Sequence, residues 1–283
     1  MAVKSTATPV AEPTTSWENP LIPNKKLRQL YSAMVELRHL EERVAAIQRS
    51  RKPTKQLPLH RGEEACLVST VLSLNSDDVT SESSAGVAVE LLRGAKLGEL
   101  LDRTPTSVKT VSGELPAVAD TQARLHVAIG VALGLSSKKK GPLVAAYVAG
   151  GELSVPQWKA ILKLAATGAA PILFVVLPSA GKRVKAGQLS LLSTTCGVPG
   201  IPVDAADPVA LYRVAQESML RIRAGGGPVL MECISFKLPG PAIEDSDPIH
   251  RMQQLLLPRG VATAAWFEEV ANRSIARLKA AAK

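Results

Sequence analysis

Aromatic side chains are scarce in this 283-residue chain: three Trp, three Tyr and three Phe, 3% of the whole. A surface that reads nucleic acid by stacking bases on rings is therefore poorly provided for. Cysteine is scarce as well. Cys66, Cys196 and Cys233 are odd in number, far apart and without a Cys-x-x-Cys spacing. That argues against a disulfide framework or a zinc cluster and for buried, reduced thiols in a cytoplasmic protein. The four histidines, His39, His60, His126 and His250, contain no pair at metal-ligand spacing. No apolar run approaches the roughly 18–20 residues of a membrane-spanning helix. The first 24 residues, rich in Ser, Thr, Ala and Pro, hold no arginine and no apolar stretch. They read as a disordered tail rather than as a secretory or mitochondrial leader.

What is present is small and aliphatic. Apolar residues make up 46% of the chain, and the mean hydropathy is slightly positive. A core of Ala, Val, Leu and Ile suits a parallel sheet covered by helices on both faces. The net charge of +9 favours an acidic partner. Its longest run, Lys138-Lys139-Lys140, precedes an expected strand and reads as a solvated turn rather than a phosphate clamp.

The pattern divides the chain into a helical N-terminal part and an alternating part. Leu27, Leu30, Tyr31, Met34, Leu37, Leu40, Val44 and Ile47 form one apolar stripe on a helix of about six turns. Gly62-Glu63-Glu64-Ala65 opens a second helix, its acids complementing the helix dipole. A polar stretch over 75–84, a helix over 87–101 and a loop over 103–116 follow. Thereafter helices over 125–135, around Trp158 and Ile161, over 209–222, and from 248 and 262 alternate with strands at 143–148, 172–177, 201–203 and 229–236. This order predicts an α/β fold: a three-layer sandwich with a mostly parallel, doubly wound sheet, as one domain over 25–283. Gly130 is expected at a close helix–sheet contact, and Gly150-Gly151 in a tight turn after a strand. Asp204 and Asp207 are expected to cap the helix that begins at Pro208. His60 and His126 have no visible partner in the sequence.

Several segments in order resemble the α subunit (E1α) of the pyruvate, branched-chain and acetoin dehydrogenases. They are Leu30-Tyr31 with Met34, Arg38 and Glu41-Glu42-Arg43; Gly62-Glu63-Glu64-Ala65 with Asp78; and Ala128 to Leu133. Pro199 to Asp204 with Asp207-Pro208-Val209, Gly227 to Glu232, and Asp247-Pro248-Ile249 complete the set. The likeness runs from about residue 25 to the C-terminus, and agreement in order and spacing carries it rather than any one segment. It implies the thiamine-diphosphate-binding fold. It also implies an α2β2 assembly with an E1β-type subunit, a magnesium–thiamine diphosphate cofactor, decarboxylation of a 2-oxo acid and acyl transfer to a lipoyl-bearing E2.

The same likeness locates the cofactor positions, and there this sequence departs from the family. A magnesium ion wants carboxylate, amide and backbone oxygens beside the diphosphate. The family's Gly-Asp-Gly turn falls on Ala149-Gly150-Gly151, so Gly150 replaces the metal-binding Asp; the following Asn falls on Ser179. Glu152 is the one nearby carboxylate that could substitute, although a solvated helix-leading acid is the simpler reading. The Tyr-Arg-x-His element falls on Ser84, Ala85 and Val87. Near the last strand Lys237 stands for Arg and Pro241 for His. The expectation is a degenerate E1α-like subunit without catalytic or metal-binding residues, with weak or absent cofactor binding. It would act structurally or in regulation, as a homodimer or with an E1β-type subunit, and within reach of the E2 complex. The alternatives are an active dehydrogenase with relocated ligands and a basic, non-enzymatic binder of an acidic partner.

Overall fold

A computed structural model describes residues 21–51, 57, 59–82, 86–104, 112–116, 118–136, 141–178, 187–235 and 247–282. The first helix, α1, spans Asn24–Arg51 and buries Leu27, Leu30, Tyr31, Met34, Leu37, Leu40 and Val44. Ile22, inside the segment expected as a tail, is wholly buried against the same core. The buried core therefore takes in a residue before residue 24.

Helix α2, Glu64–Val71, is buried along its whole length. The single helix expected over 87–101 is two short ones, α3 (Ala88–Leu92) and α4 (Leu97–Leu101). Gly94 between them adopts φ 93°, a left-handed conformation that ends α3. Helix α5, Thr121–Leu135, starts where the Asp120 side chain accepts a hydrogen bond from Ala123 N.

The expected strands hold to within a residue or two: β2 is Val144–Ala149, β3 is Ile172–Leu177, β4 is Gly200–Asp204 and β5 is Val229–Ile234. Strand β1, Val79–Ser81, lies inside the segment expected to be merely polar. It was hidden because a three-residue edge strand carries no periodic signal. Asp78 explains how so polar a segment is buried. Its carboxylate accepts from Asn75 N (2.6 Å), Leu143 N (3.0 Å) and both terminal nitrogens of Arg223.

Every strand pair is parallel, in the order β1-β2-β3-β5-β4. Between β2 and β3 comes α6 (Val155–Thr167), and between β3 and β4 comes α7 (Gln188–Thr195). Helix α8, Pro208–Arg223, returns the chain from β4 to β5. Helices α9 (Pro248–Leu256) and α10 (Ala264–Ala281) close it. The chain advances across the sheet with α5, α6 and α7 on one face. It then steps back from β4 to β5, and the right-handed crossover rule puts α8 on the other face.

Strand side chains alternate accordingly. Val144, Ala146, Val148, Phe174 and Val176 pack with α5 and α6, with Trp158 edge-on to Phe174. Ala145, Tyr147, Leu173, Val175 and Met231 pack with α1, α2, α8, α9 and α10. The three-layer α/β sandwich with a parallel sheet is thus observed.

Candidate functional site

In parallel α/β sheets, ligands bind beyond the carboxyl ends of the strands, because loops and helix N-termini converge there. In this molecule that edge is formed by Ser81-Glu82 after β1 and by Gly150-Gly151-Glu152 after β2. Leu177-Pro178 after β3 continues it, and the ends of β5 and β4 at Ile234 and Asp204 lie farther along.

Gly150 turns the chain as expected, its N–H donating to Leu177 O at 3.2 Å. A Cβ added there would meet Val176 Cγ1 at 3.3 Å and Leu189 Cδ1 at 3.8 Å, so its side-chain direction is walled by apolar groups. Gly151 is half-buried in the same turn. Val87 is fully buried in an apolar cluster with Leu40, Val44, Leu100 and Leu278. Ala85, Ser179, Lys237 and Pro241 lie outside the described residues, as do Ser84 and Lys138 to Lys140.

Glu152 departs from its simpler reading. It is 27% exposed, and its Oε2 accepts a hydrogen bond from Thr121 Oγ1 at 2.7 Å and faces Arg124 Nη2 at 3.5 Å. Arg124 is the residue that sequence reasoning missed. Only 1% exposed, it donates through Nη1 to Tyr147 O (3.1 Å) and Ser81 Oγ (3.4 Å) at the ends of β2 and β1. Burial pulls its pKa down, while the charges of Glu152 and Glu82 act against that shift. A signal existed: Arg124 stands four and eight residues before Ala128 and Ala132, on the buried stripe of α5.

A second polar group adjoins this edge. Glu41 on α1 is 3% exposed; its Oε2 accepts from His60 N at 2.9 Å. His60 Nδ1 lies 3.2 Å from Glu63 Oε2, so the histidine expected to lack a partner has two. Burial pushes the Glu41 carboxyl up to about 7, with Glu64 and Glu63 adding repulsion against the pull of His60. Burial opposes protonation of His60, but its Glu63 hydrogen bond and the charges of Glu41, Glu63 and Glu82 raise its pKa overall. Glu64 is more than a helix-opening acid. Wholly buried, it pairs with Arg38 Nε at 2.8 Å and accepts from Gly62 N at 2.9 Å.

Two further expectations change. Gly130 has nothing within 4 Å of where its Cβ would be and lies on the exposed side of α5, so it makes no close helix–sheet contact. Asp207 caps α8 through Val209 N and Ala210 N, both at 3.0 Å, whereas Asp204 pairs with Arg251 and accepts from Ala206 N. Glu232, matched only as part of a motif, is buried on β5 and accepts from Gly187 N (2.9 Å) and Ser190 N (2.7 Å), fastening the start of α7. Cys66, Cys196 and Cys233 are buried free thiols. Among the described residues no three His, Cys, Asp or Glu side chains converge so as to hold a metal ion. No helix among them is long and apolar enough to cross a membrane.

A fully parallel sheet between two helical layers, with charged groups gathered at the strand ends, defines a three-layer α/β protein. Residues 31–283 match the family described as Dehydrogenase E1 component, and the chain belongs to that family. It is 28% identical over 251 residues to the 3-methyl-2-oxobutanoate dehydrogenase subunit alpha of Mycobacterium tuberculosis, covering 82% of this chain and 66% of that one. The chain thus spans slightly under two thirds of that relative's length. Over 295 residues it is 25% identical to the pyruvate dehydrogenase E1 component subunit alpha of Staphylococcus aureus, covering 92% and 77%. The subunit of the same name from Mycoplasma genitalium is 24% identical over 286 residues. The E1α resemblance read from the sequence is borne out.

Proposed function

We propose that this chain is an E1α-type subunit of a 2-oxo acid dehydrogenase that has lost its magnesium and thiamine diphosphate ligands and serves as a non-catalytic structural or regulatory subunit. One observation carries the reading: the turn after β2 offers no free oxygen side chain. Gly150 has none, and its side-chain direction points at Val176 and Leu189. Glu152, the one carboxylate beside it, is engaged by Thr121 and Arg124. A divalent ion entering there would have to displace a buried guanidinium, and two cations sharing one carboxylate repel strongly in a low-dielectric site. Val87, where the family's histidine is expected, offers neither charge nor hydrogen bond. The residues present do not fit the magnesium diphosphate, and no catalytic step is assigned to them.

The partner is a second copy or an E1β-type subunit in an α2β2-like assembly, through which the chain reaches a lipoyl-bearing E2. The three buried reduced thiols support a cytoplasmic setting. Calorimetry with Mg²⁺ and thiamine diphosphate, on the chain alone and with an E1β-type subunit, tests the loss. No heat of binding is expected from the chain alone, and micromolar affinity would overturn the reading. Turnover of a 2-oxo acid with an artificial electron acceptor, abolished in Glu152→Ala, would establish instead an active enzyme with relocated ligands.

A further inference from the structure

We propose that Arg124 is a resident cation: a guanidinium built into α5 that holds the carboxyl ends of β1 and β2 in place of a divalent ion. The inference rests on the reading of missing ligands just given, and it adds what fills the gap. Among the described residues the hydrogen-bond partners of this side chain are oxygens of three kinds: the Tyr147 carbonyl, the Ser81 hydroxyl and the Glu152 carboxylate. Carbonyl, hydroxyl and carboxylate oxygens are also the donors that a hard divalent cation gathers. The Glu82 charge acts on the same guanidinium through space.

The position itself argues that charge is what is wanted. Ala128 and Ala132 continue the stripe of α5 that Arg124 begins, and both are small, apolar and wholly buried. An arginine buried to 1% exposure carries a large desolvation cost unless oxygens and a counter-charge compensate it. Compensation is incomplete, because Arg124 Nε has no hydrogen-bond partner among the described residues. A neutral side chain would avoid that cost but would give up the cation that Glu152 pairs with and on which the Glu82 charge acts. The guanidinium differs from a metal ion in two ways that matter. It is tethered, so it cannot exchange or be chelated. It donates hydrogen bonds in a fixed fork, so it orients the strand ends without offering an open coordination position.

The test uses the full chain with Mn²⁺ alone as probe, without thiamine diphosphate. Bound Mn²⁺ is read by loss of its free-ion paramagnetic resonance signal, and stability by thermal unfolding with Mn²⁺, Mg²⁺ or chelator. The wild-type protein is expected to bind no Mn²⁺ and to keep the same Tm in all three. Arg124→Met should lower Tm, Mn²⁺ should restore part of the loss, and the restoration should vanish in Arg124→Met/Glu152→Gln. Arg124→Lys, which keeps the charge, should show no Mn²⁺ response; with the wild type it decides the matter if Arg124→Met does not fold. Mn²⁺ binding by the wild type, a response in Arg124→Lys, or indifference of folded Arg124→Met to Mn²⁺ would each overturn the proposal. Thiamine diphosphate bound by a protein that still ignores Mn²⁺ would remove the reading of a lost cofactor and leave the resident cation standing.

Discussion

Glu41 and His60 show what burial does to single groups in this chain. The carboxyl of Glu41 is held up at about 7 from an ordinary 4.5, first by burial and then by Glu64 and Glu63. Its folded-state pKa lies above the unfolded one, so the folded protein binds this proton more tightly. Stability from Glu41 is therefore full below the ordinary carboxylate range and lost as pH rises through about 7. His60, also raised, acts in the same direction: its contribution is present below about 6.5 and disappears as pH climbs through its higher folded value. Asp247 acts oppositely. Burial would raise its carboxyl, but the Arg38 guanidinium lowers it, so its contribution is lost only in acid. The urea midpoint should consequently fall between mildly acidic and mildly alkaline pH. Glu41→Gln mimics the protonated acid and can still accept from His60 N. It should flatten that fall and raise stability above neutrality by on the order of 2–3 kcal/mol. A variant less stable than wild type across the whole range would show that Glu41 is held ionised.

At the scale of elements, two helix starts that look alike in sequence should respond differently. Asp207 before α8 and Asp247 before α9 each precede a proline and each accept hydrogen bonds from two backbone N–H groups. Asp207 does nothing else among the described contacts, so Asp207→Ala should cost about 1 kcal/mol. Asp247 also pairs with Arg38 Nη1 at 2.5 Å, tying α9 to α1 and Glu64. Asp247→Ala should cost clearly more, by roughly 1–3 kcal/mol for a charge-assisted hydrogen bond. Equal losses in chemical denaturation would mean that the Arg38 contact contributes nothing. Strand β4 and helix α7 press together at Gly200, where a Cβ would lie 2.2 Å from Ser190 O and 2.6 Å from Ser190 Cα. The obstacle is backbone, so it cannot swing aside. Gly200→Ala should lift α7 off the sheet at a cost of about 1–3 kcal/mol or more, read as faster amide exchange along α7.

At the scale of the whole molecule, the sheet separates the two larger apolar clusters of the described residues, and each packs on strands that also serve the other. Trp158 belongs to the α6 face, while Trp266 lies tilted against Tyr31 and edge-on to Phe267 on the opposite face. The ends of the described chain are joined: Arg277 on α10 pairs with Glu36 on α1 at 2.6 Å, and His39 Nδ1 meets Ser274 Oγ at 3.0 Å. Unfolding should therefore be one cooperative event. Variants retaining only Trp158 or only Trp266 should show fluorescence transitions with the same urea midpoint. Separate midpoints would divide the chain into two units.

The alternation of helices with short runs of Val, Ile and Leu was enough to settle the α/β class, the four longer strands and most helices. Buried strands and amphipathic helices leave a periodic mark in the order of residues. The match to E1α segments in order added the family. Strand β1 and helix α7 left no such mark. One is held by Asp78 with Arg223 and the other by Glu232, and these pairings join residues 145 and about 45 positions apart. That Gly150 offers no side chain was legible, because it is a local fact. What stands beside it was not: the approach of Arg124 to Glu152, and of His60 to Glu41, depends on where α5, α1 and the strand ends meet. One-dimensional order fixes which residues are apolar and how often they recur. Only the packed structure decides which buried charges face one another, because that depends on distances through space.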